Sequence, residues 1–106
     1  MKKIIKSKSK INLVILIRKI GYYPKSSNIT PDGVREISCW RRLTSSDYPH
    51  FHLFVKEINQ NKIILSLHLD QKKPSYSMSP AHSGEYNTPL IKKEMERITD
   101  IISTEL

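Results

Sequence analysis

The sequence predicts a two-layer α+β fold in which two helices cover one face of a three-stranded antiparallel sheet, in the order α-β-β-β-α. Two adjacent stretches, residues 50–58 and 62–70, alternate apolar and polar side chains with the period of half-buried strands. An apolar stripe with helical spacing follows Pro89. The chain has 106 residues, enough for one core and too few for two.

The two alternating stretches predict a β-hairpin. A three-residue connection, 59–61, would pair Ile58 with Lys62 and place Asn61 in the left-handed conformation. The same register pairs Leu53 with Leu67 and keeps every apolar residue on one face, whereas a shift by one residue would mix the faces. One face of the hairpin is therefore predicted to be core, and the other polar.

One helix is predicted before these strands in the chain and one after them. The first begins near Ile11 and ends at Gly21, since glycine commonly closes helices. The second is capped by Thr88 with Pro89 at its first position. Its predicted core stripe consists of Ile91, Met95, Ile98 and Ile102.

The remaining segments are predicted from their composition. We expect a flexible basic tail over 1–9, a single domain over 10–106, a loop over 22–33 rich in Pro, Ser, Asn and Gly, and a long loop over 71–88 that is either a lid or disordered. Residues 34–43 fit a strand or a helix. We favour the strand because short and aromatic residues alternate there.

Charge is concentrated in the first part of the chain. Residues 1–42 carry 11 Lys and Arg against Asp32 and Glu36, whereas residues 43–106 carry 7 against 8 acidic residues. Such a segment attracts nucleic acid or another anionic partner. The alternative is that the excess of lysine reflects a compositionally biased genome. The single cysteine, Cys39, allows no intrachain disulfide and favours a cytoplasmic protein, and no segment is long and apolar enough to span a membrane.

The polar face of the hairpin carries His50, His52, His68 and Asp70. Alternate residues on a strand lie about 6.6 Å apart, and directly opposed residues have Cβ atoms about 5 Å apart, so these side chains can converge on one ion. Three imidazoles suit zinc, and two histidines with a carboxylate suit iron or manganese. Asp70 could instead orient His50 by a hydrogen bond. The alternative is a solvated polar surface without a metal.

The loop after Asp70 adds two candidate catalytic residues. His82 and Glu85 lie on a segment that leaves the strand bearing His68, so either could act as a further ligand or a general base. A polar loop without a catalytic role has the same composition.

Two resemblances accompany these predictions. The helix, three strands, helix order is similar to that of the double-stranded RNA-binding domain, with Lys92 and Lys93 where that domain has lysines at the start of its last helix. The longer span from 71 to 88 departs from it. The letters HFH resemble the strand motif of rolling-circle replication endonucleases, which implies His50 and His52 as ligands, but the helix after Pro89 lacks that family's tyrosine.

Two functions of different class follow. The first is metal-dependent hydrolysis of a phosphate-containing or nucleic-acid substrate, with zinc or manganese as the metal. The second is a non-enzymatic nucleic-acid-binding module that uses its basic residues for phosphate contacts and Trp40 for stacking. The predicted basic contacts are Lys2, Lys3, Lys6, Lys8, Lys10, Arg35, Arg41 and Arg42.

Overall fold

The computed structural model describes residues 1–72, the backbone of 84 and 85, and residues 88–105. Six strands and two helices occupy these residues. In chain order they are β1 (Lys2–Lys6), α1 (Leu13–Lys19), β2 (Tyr23–Ile29), β3 (Arg35–Arg42), β4 (His50–Asn59), β5 (Lys62–Asp70), β6 (Gly84–Glu85) and α2 (Pro89–Glu105).

The α+β class is confirmed, but the predicted three-stranded sheet is wrong. Five strands form one antiparallel sheet in the order β1-β5-β4-β3-β2, and the short β6 pairs with the end of β5. The two additional long strands are β1 and β2, which the sequence predicts as a tail and a loop. The chain order is therefore not that of the double-stranded RNA-binding domain.

Strand β1 replaces the predicted flexible tail because it completes the edge of β5. Its residues pair with β5 from Lys2 opposite Ser66 to Lys6 opposite Lys62. Leu67 N–H also donates to the Met1 carbonyl at 2.8 Å. Ile5 is buried, whereas Ile4 is 54% exposed on the opposite side. One buried isoleucine among lysines leaves no alternation strong enough to reveal the strand.

Strand β2 is a strand by backbone pairing alone. Its residues from Pro24 onward are exposed, and none of its side chains is fully buried. It lies at the edge of the sheet against β3, with a register irregularity between Pro24 and Ser26. Proline is tolerated on edge strands and at such irregularities. Polar composition therefore concealed this strand.

The β4–β5 hairpin has the predicted register. Leu53 pairs with Leu67, His52 with His68, and His50 with Asp70. The predicted connection is wrong in detail, because an irregularity between Glu57 and Asn59 pairs Asn59, not Ile58, with Lys62. Only two turn residues remain, and Asn61 has no positive φ.

The two helices share one core with the sheet. The inward-facing apolar residues of β4 and β5, Leu13, Leu16 and Ile17 of α1, and the predicted stripe of α2 belong to a single cluster. Gly21 (φ 86) ends α1 as predicted, and the N–H groups of Gly21 and Tyr22 donate to the carbonyls of Arg18 and Ile17. Neither of these two helices is long and apolar enough to cross a membrane.

The face of the sheet opposite the helices is called the outer face below. Strand alternation places the side chains of Ser38, Trp40, His52, Phe54, Ser66 and His68 on it, among others.

A buried carboxylate joins α2 to the rest of the fold. Glu94 accepts hydrogen bonds from Tyr22 Oη at 2.6 Å, from Arg97 Nε at 2.8 Å and from Arg41 Nη1 at 3.3 Å. Arg97 also donates to the Ile20 carbonyl at 2.7 Å. Burial, together with the charge of Glu94, raises the pKa of Tyr22 well above its usual value. Arg97 therefore satisfies a backbone carbonyl at the end of α1, and the contacts of Glu94 with Arg97 and Arg41 hold α2 against β3.

Adjacent isoleucines test strand β1. Replacing Ile5 by Ala should lower the free energy of unfolding by about 2 kcal/mol, because it removes buried methyl groups. The matched change Ile4→Ala should stay within about 0.5 kcal/mol, because Ile4 is exposed. Urea unfolding of both variants measures the difference. Equal effects would contradict the pairing of β1 with β5.

Candidate metal centre

The structure brings the four predicted metal-site residues together at one end of the hairpin. His50 and His52 lie on β4, and His68 and Asp70 on β5. His50 faces Asp70 and His52 faces His68 across the strand pair. The period of two and the register together therefore gather three imidazoles around one carboxylate.

Asp70 is the centre of this cluster. Its Oδ2 lies 3.0 Å from His50 Nε2 and 3.0 Å from His52 Nδ1. Its Oδ1 lies 3.1 Å from His68 Nε2. The Asp70 side chain is 25% exposed, and the side chains of His52 and His68 are less exposed than that. The carboxylate is thus held on three sides.

His50 is fully buried, which a solvated polar face does not predict. The ring of Trp40 stacks on it with centroids 3.5 Å apart, and the ring of Tyr48 lies 4.8 Å away. Its Nδ1 lies 2.6 Å from the Asp47 carbonyl oxygen. Residues outside the hairpin therefore cover and orient this histidine.

The two contacts of His50 define a position for a cation. A carbonyl oxygen only accepts, so Nδ1 carries a proton and donates it to Asp47. In a neutral ring, Nε2 then presents a lone pair to the Asp70 carboxylate, which is also an acceptor. Only a second proton or a cation between the two atoms makes this contact favourable. A metal ion would compete with that proton.

His52 resembles His50 in having one ring nitrogen against Asp70 and the other against a second partner. Its Nδ1 lies against Asp70, and its Nε2 lies 2.6 Å from Ser38 Oγ. A serine hydroxyl can donate to Nε2 while Nδ1–H donates to Asp70. It can equally accept from Nε2–H, which would leave the Nδ1 lone pair for an ion. Metal-binding histidines are commonly held in this way through the nitrogen that is not a ligand.

One ligand atom each from His50, His52 and Asp70 lies within 4.8 Å of the other two, so these three residues could hold a metal ion. Bonds of about 2.1 Å at tetrahedral angles separate ligand atoms by about 3.4 Å, which is close to the two 3.0 Å separations at Asp70. His68 contacts the other carboxylate oxygen, so its contact orients Asp70.

The histidines also change the acidity of Asp70. Burial raises its pKa, but hydrogen bonds from His52 and His68 lower it more, so the net pKa lies below that of an ordinary aspartate. Asp70 is therefore ionised at neutral pH, as a ligand must be.

The candidate catalytic residues are only partly described. His82 lies outside the described residues. The backbone of Glu85 belongs to β6 and pairs with Leu69, while Gly84 lies opposite Asp70. Of the predicted loop over 71–88, residues 73–83 and 86–87 lie outside the described residues. The roles of His82 and Glu85 stay predictions.

The predicted basic contacts do not form one surface. Lys2, Lys3 and Lys6 lie on β1, at the far edge of the sheet from β2. Arg41 points toward the helices, where it contacts Glu94. Arg42 lies on the outer face and pairs with Asp47 at 2.9 Å.

Sequence reasoning missed three contributors to this cluster. Ser38 and Trp40 alternate with the buried Ile37 and Cys39, so the strand pattern alone assigns them to the polar side of β3. Their contact with the histidines depends on the β3–β4 register, which pairs Trp40 with His52. The Asp47 carbonyl carries no sequence signal.

Comparison of the chain with models of protein families, with curated proteins and with solved structures finds no match.

The lowered pKa of Asp70 predicts a pH dependence of stability. Between the folded and unfolded pKa values the unfolded chain binds more protons, so this contribution is complete above about pH 4 and is lost as pH falls below it. Asp70→Asn should therefore flatten the fall in stability between pH 5 and pH 2. Denaturant unfolding across this range, with the exposed Asp100→Asn as control, measures it. Identical slopes for the two variants would refute the stabilising role of the Asp70 charge.

Proposed function

We propose that this chain is a small metal-dependent protein that holds a divalent transition metal ion on its outer face and uses it to hydrolyse a phosphate-containing substrate. The observation that carries the proposal is the convergence of His50 Nε2 and His52 Nδ1 on one oxygen of Asp70, with the other nitrogen of each ring engaged by the Asp47 carbonyl and Ser38. A polar surface without a ligand has no need of this orientation.

The proposed ligands are His50, His52 and Asp70. Two histidines and a carboxylate leave positions open for water and substrate, a set that suits manganese or iron. If His68 turned toward the ion, the ligand set would gain a third histidine, as in many zinc sites. We therefore propose Mn²⁺ or Zn²⁺ as the ion, with His68 holding Asp70 in the first case.

The proposed reaction follows from the open positions. A divalent ion lowers the pKa of bound water and stabilises charge on a phosphoryl oxygen. The hydroxide formed in this way would add to phosphorus, and the ester oxygen would leave with a proton. His82 and Glu85 are the residues predicted to move those protons.

Metal binding is the first test. Calorimetry of the untagged protein at pH 7.5 should detect one Zn²⁺ or Mn²⁺ per chain, and His52→Ala should abolish binding while the protein stays folded. Binding should release protons, because a metal ion and a proton compete for the same ligand atoms. Titrations in two buffers of different ionisation enthalpy measure that release. A wild-type protein that binds neither ion would overturn the proposal.

Two serines on the outer face supply a variant and its matched control for the hydrogen bond between Ser38 and His52. Ser38→Ala should weaken metal affinity by about 10- to 100-fold, because His52 loses the partner that orients its ring. Ser66 also lies on the outer face, but on β5, so Ser66→Ala should leave metal affinity unchanged. An equal effect of the two changes would show that Ser38 does not orient His52.

Hydrolysis is tested separately from binding. Metal-loaded protein should cleave a simple phosphodiester such as bis(4-nitrophenyl) phosphate, and both EDTA and Asp70→Asn should remove that activity. A protein that binds metal but cleaves neither phosphodiesters nor phosphomonoesters would retain the site and refute the proposed reaction.

A further inference from the structure

The outer face carries cations that the metal site does not use. Strand pairing places Lys6 and Lys62 on it at the end away from Asp70, and Lys25 lies over Trp40 near the other end. Within the described part of the chain, no carboxylate lies within ion-pair distance of these three lysines. The face therefore offers positive charge near both of its ends, and it is about 26 Å long along β5.

Lys6 and Lys62 are directly opposed on paired strands. Like charges in this position repel each other and destabilise the pair. Their repulsion would be relieved by an anion bound between them. This feature of the face thus favours an anionic partner over a neutral one.

Aromatic rings lie beside the cations. His50 stacks on the Trp40 ring with centroids 3.5 Å apart, and the Lys25 ammonium lies 4.4 Å from the centroid of the same ring. His50 belongs to β4 and Lys25 to β2, on either side of β3, so they reach Trp40 from opposite sides. Phe54, which is half-buried, stacks on His52 at 4.3 Å. Tyr23 pairs with Trp40 across the strands, and its hydroxyl has no hydrogen-bond partner among the described residues.

We propose that the outer face binds single-stranded nucleic acid, with a base stacked on Trp40 and phosphates on Lys6, Lys25 and Lys62. The Lys25 side chain is long and exposed, so it can leave the ring for a base and move to the adjoining phosphate. Aromatic rings interleaved with cations are the combination that binds unpaired strands without sequence preference. A duplex hides the faces of its bases, so it offers phosphates but nothing to stack on Trp40.

This proposal goes beyond the metal site and does not depend on it. Neither Trp40 nor the lysines are proposed ligands, so the strand should bind when metal is absent. The experiment is therefore done in EDTA, where failure of nucleic-acid binding and failure of metal binding are separate results.

The chain's single tryptophan gives a direct signal for the experiment. Titration with a 12-nucleotide oligothymidylate in EDTA at 50 mM salt should quench Trp40 fluorescence as the strand stacks on it. Fluorescence anisotropy of the labelled strand should give the same affinity, and a 12-base-pair duplex should bind at least tenfold more weakly. Binding without quenching, or equal binding of the duplex, would overturn the proposal.

Two triple variants with the same loss of charge separate a defined surface from general attraction. Lys6→Gln, Lys25→Gln and Lys62→Gln together should reduce the slope of log affinity against log salt by about 2, because each phosphate contact on a single strand contributes about 0.7. The control changes Lys3→Gln, Lys92→Gln and Lys93→Gln remove three exposed lysines from other surfaces and should leave the slope unchanged. Equal reductions would overturn the assignment to the outer face, as would absence of binding at 50 mM salt.

Discussion

The pairing of β4 with β5 is the constraint on which the rest of the structure depends. In this register the residue numbers of paired positions add up to 120 from His50–Asp70 to Glu57–Ile63. That choice places Leu53 against Leu67 in the core and His52 against His68 on the other side. A slip by one residue would exchange the faces of one strand and expose its apolar side chains. The core therefore selects the register, and the register places the histidines around Asp70 as a consequence.

Once the strands are paired, the position of Asp70 decides what the cluster can do. Three imidazoles contact one carboxylate that is three-quarters buried, and hydrogen bonds from His52 and His68 keep it ionised. The cost of removing a carboxylate from water is offset only if these partners stay in place. Ser38 and the Asp47 carbonyl hold two of the partners from outside the hairpin. The cluster is thus arranged in advance of any ligand, because strands and a loop fix both nitrogens of His50 and of His52.

The sequence was informative where side-chain alternation and burial agree. The hairpin, the strand at Arg35–Arg42 and the stripe of α2 follow from their periods, and the proximity of His50, His52, His68 and Asp70 follows from register alone. Strands β1 and β2 could not be predicted in this way. Their hydrogen bonds come from the backbone, and among their residues only Ile5 is fully buried. The burial of His50 could not be predicted from its own strand either, because it depends on Trp40 and on the chain near Asp47, both outside the hairpin.

Charged residues have different roles on the two faces of the sheet. On the helix side, Glu94 is enclosed by Tyr22, Arg41 and Arg97, and this buried group of charges holds α2 in place. The buried apolar residues of that side and of the helices form one core. On the outer face, Trp40 connects the two proposed activities: one side of its ring covers a proposed metal ligand, and the other lies under a lysine that a base could displace. A strand stacked on Trp40 would therefore carry its phosphates past the open positions of an ion held by His50, His52 and Asp70. The two proposed activities, strand binding and hydrolysis, therefore share this face.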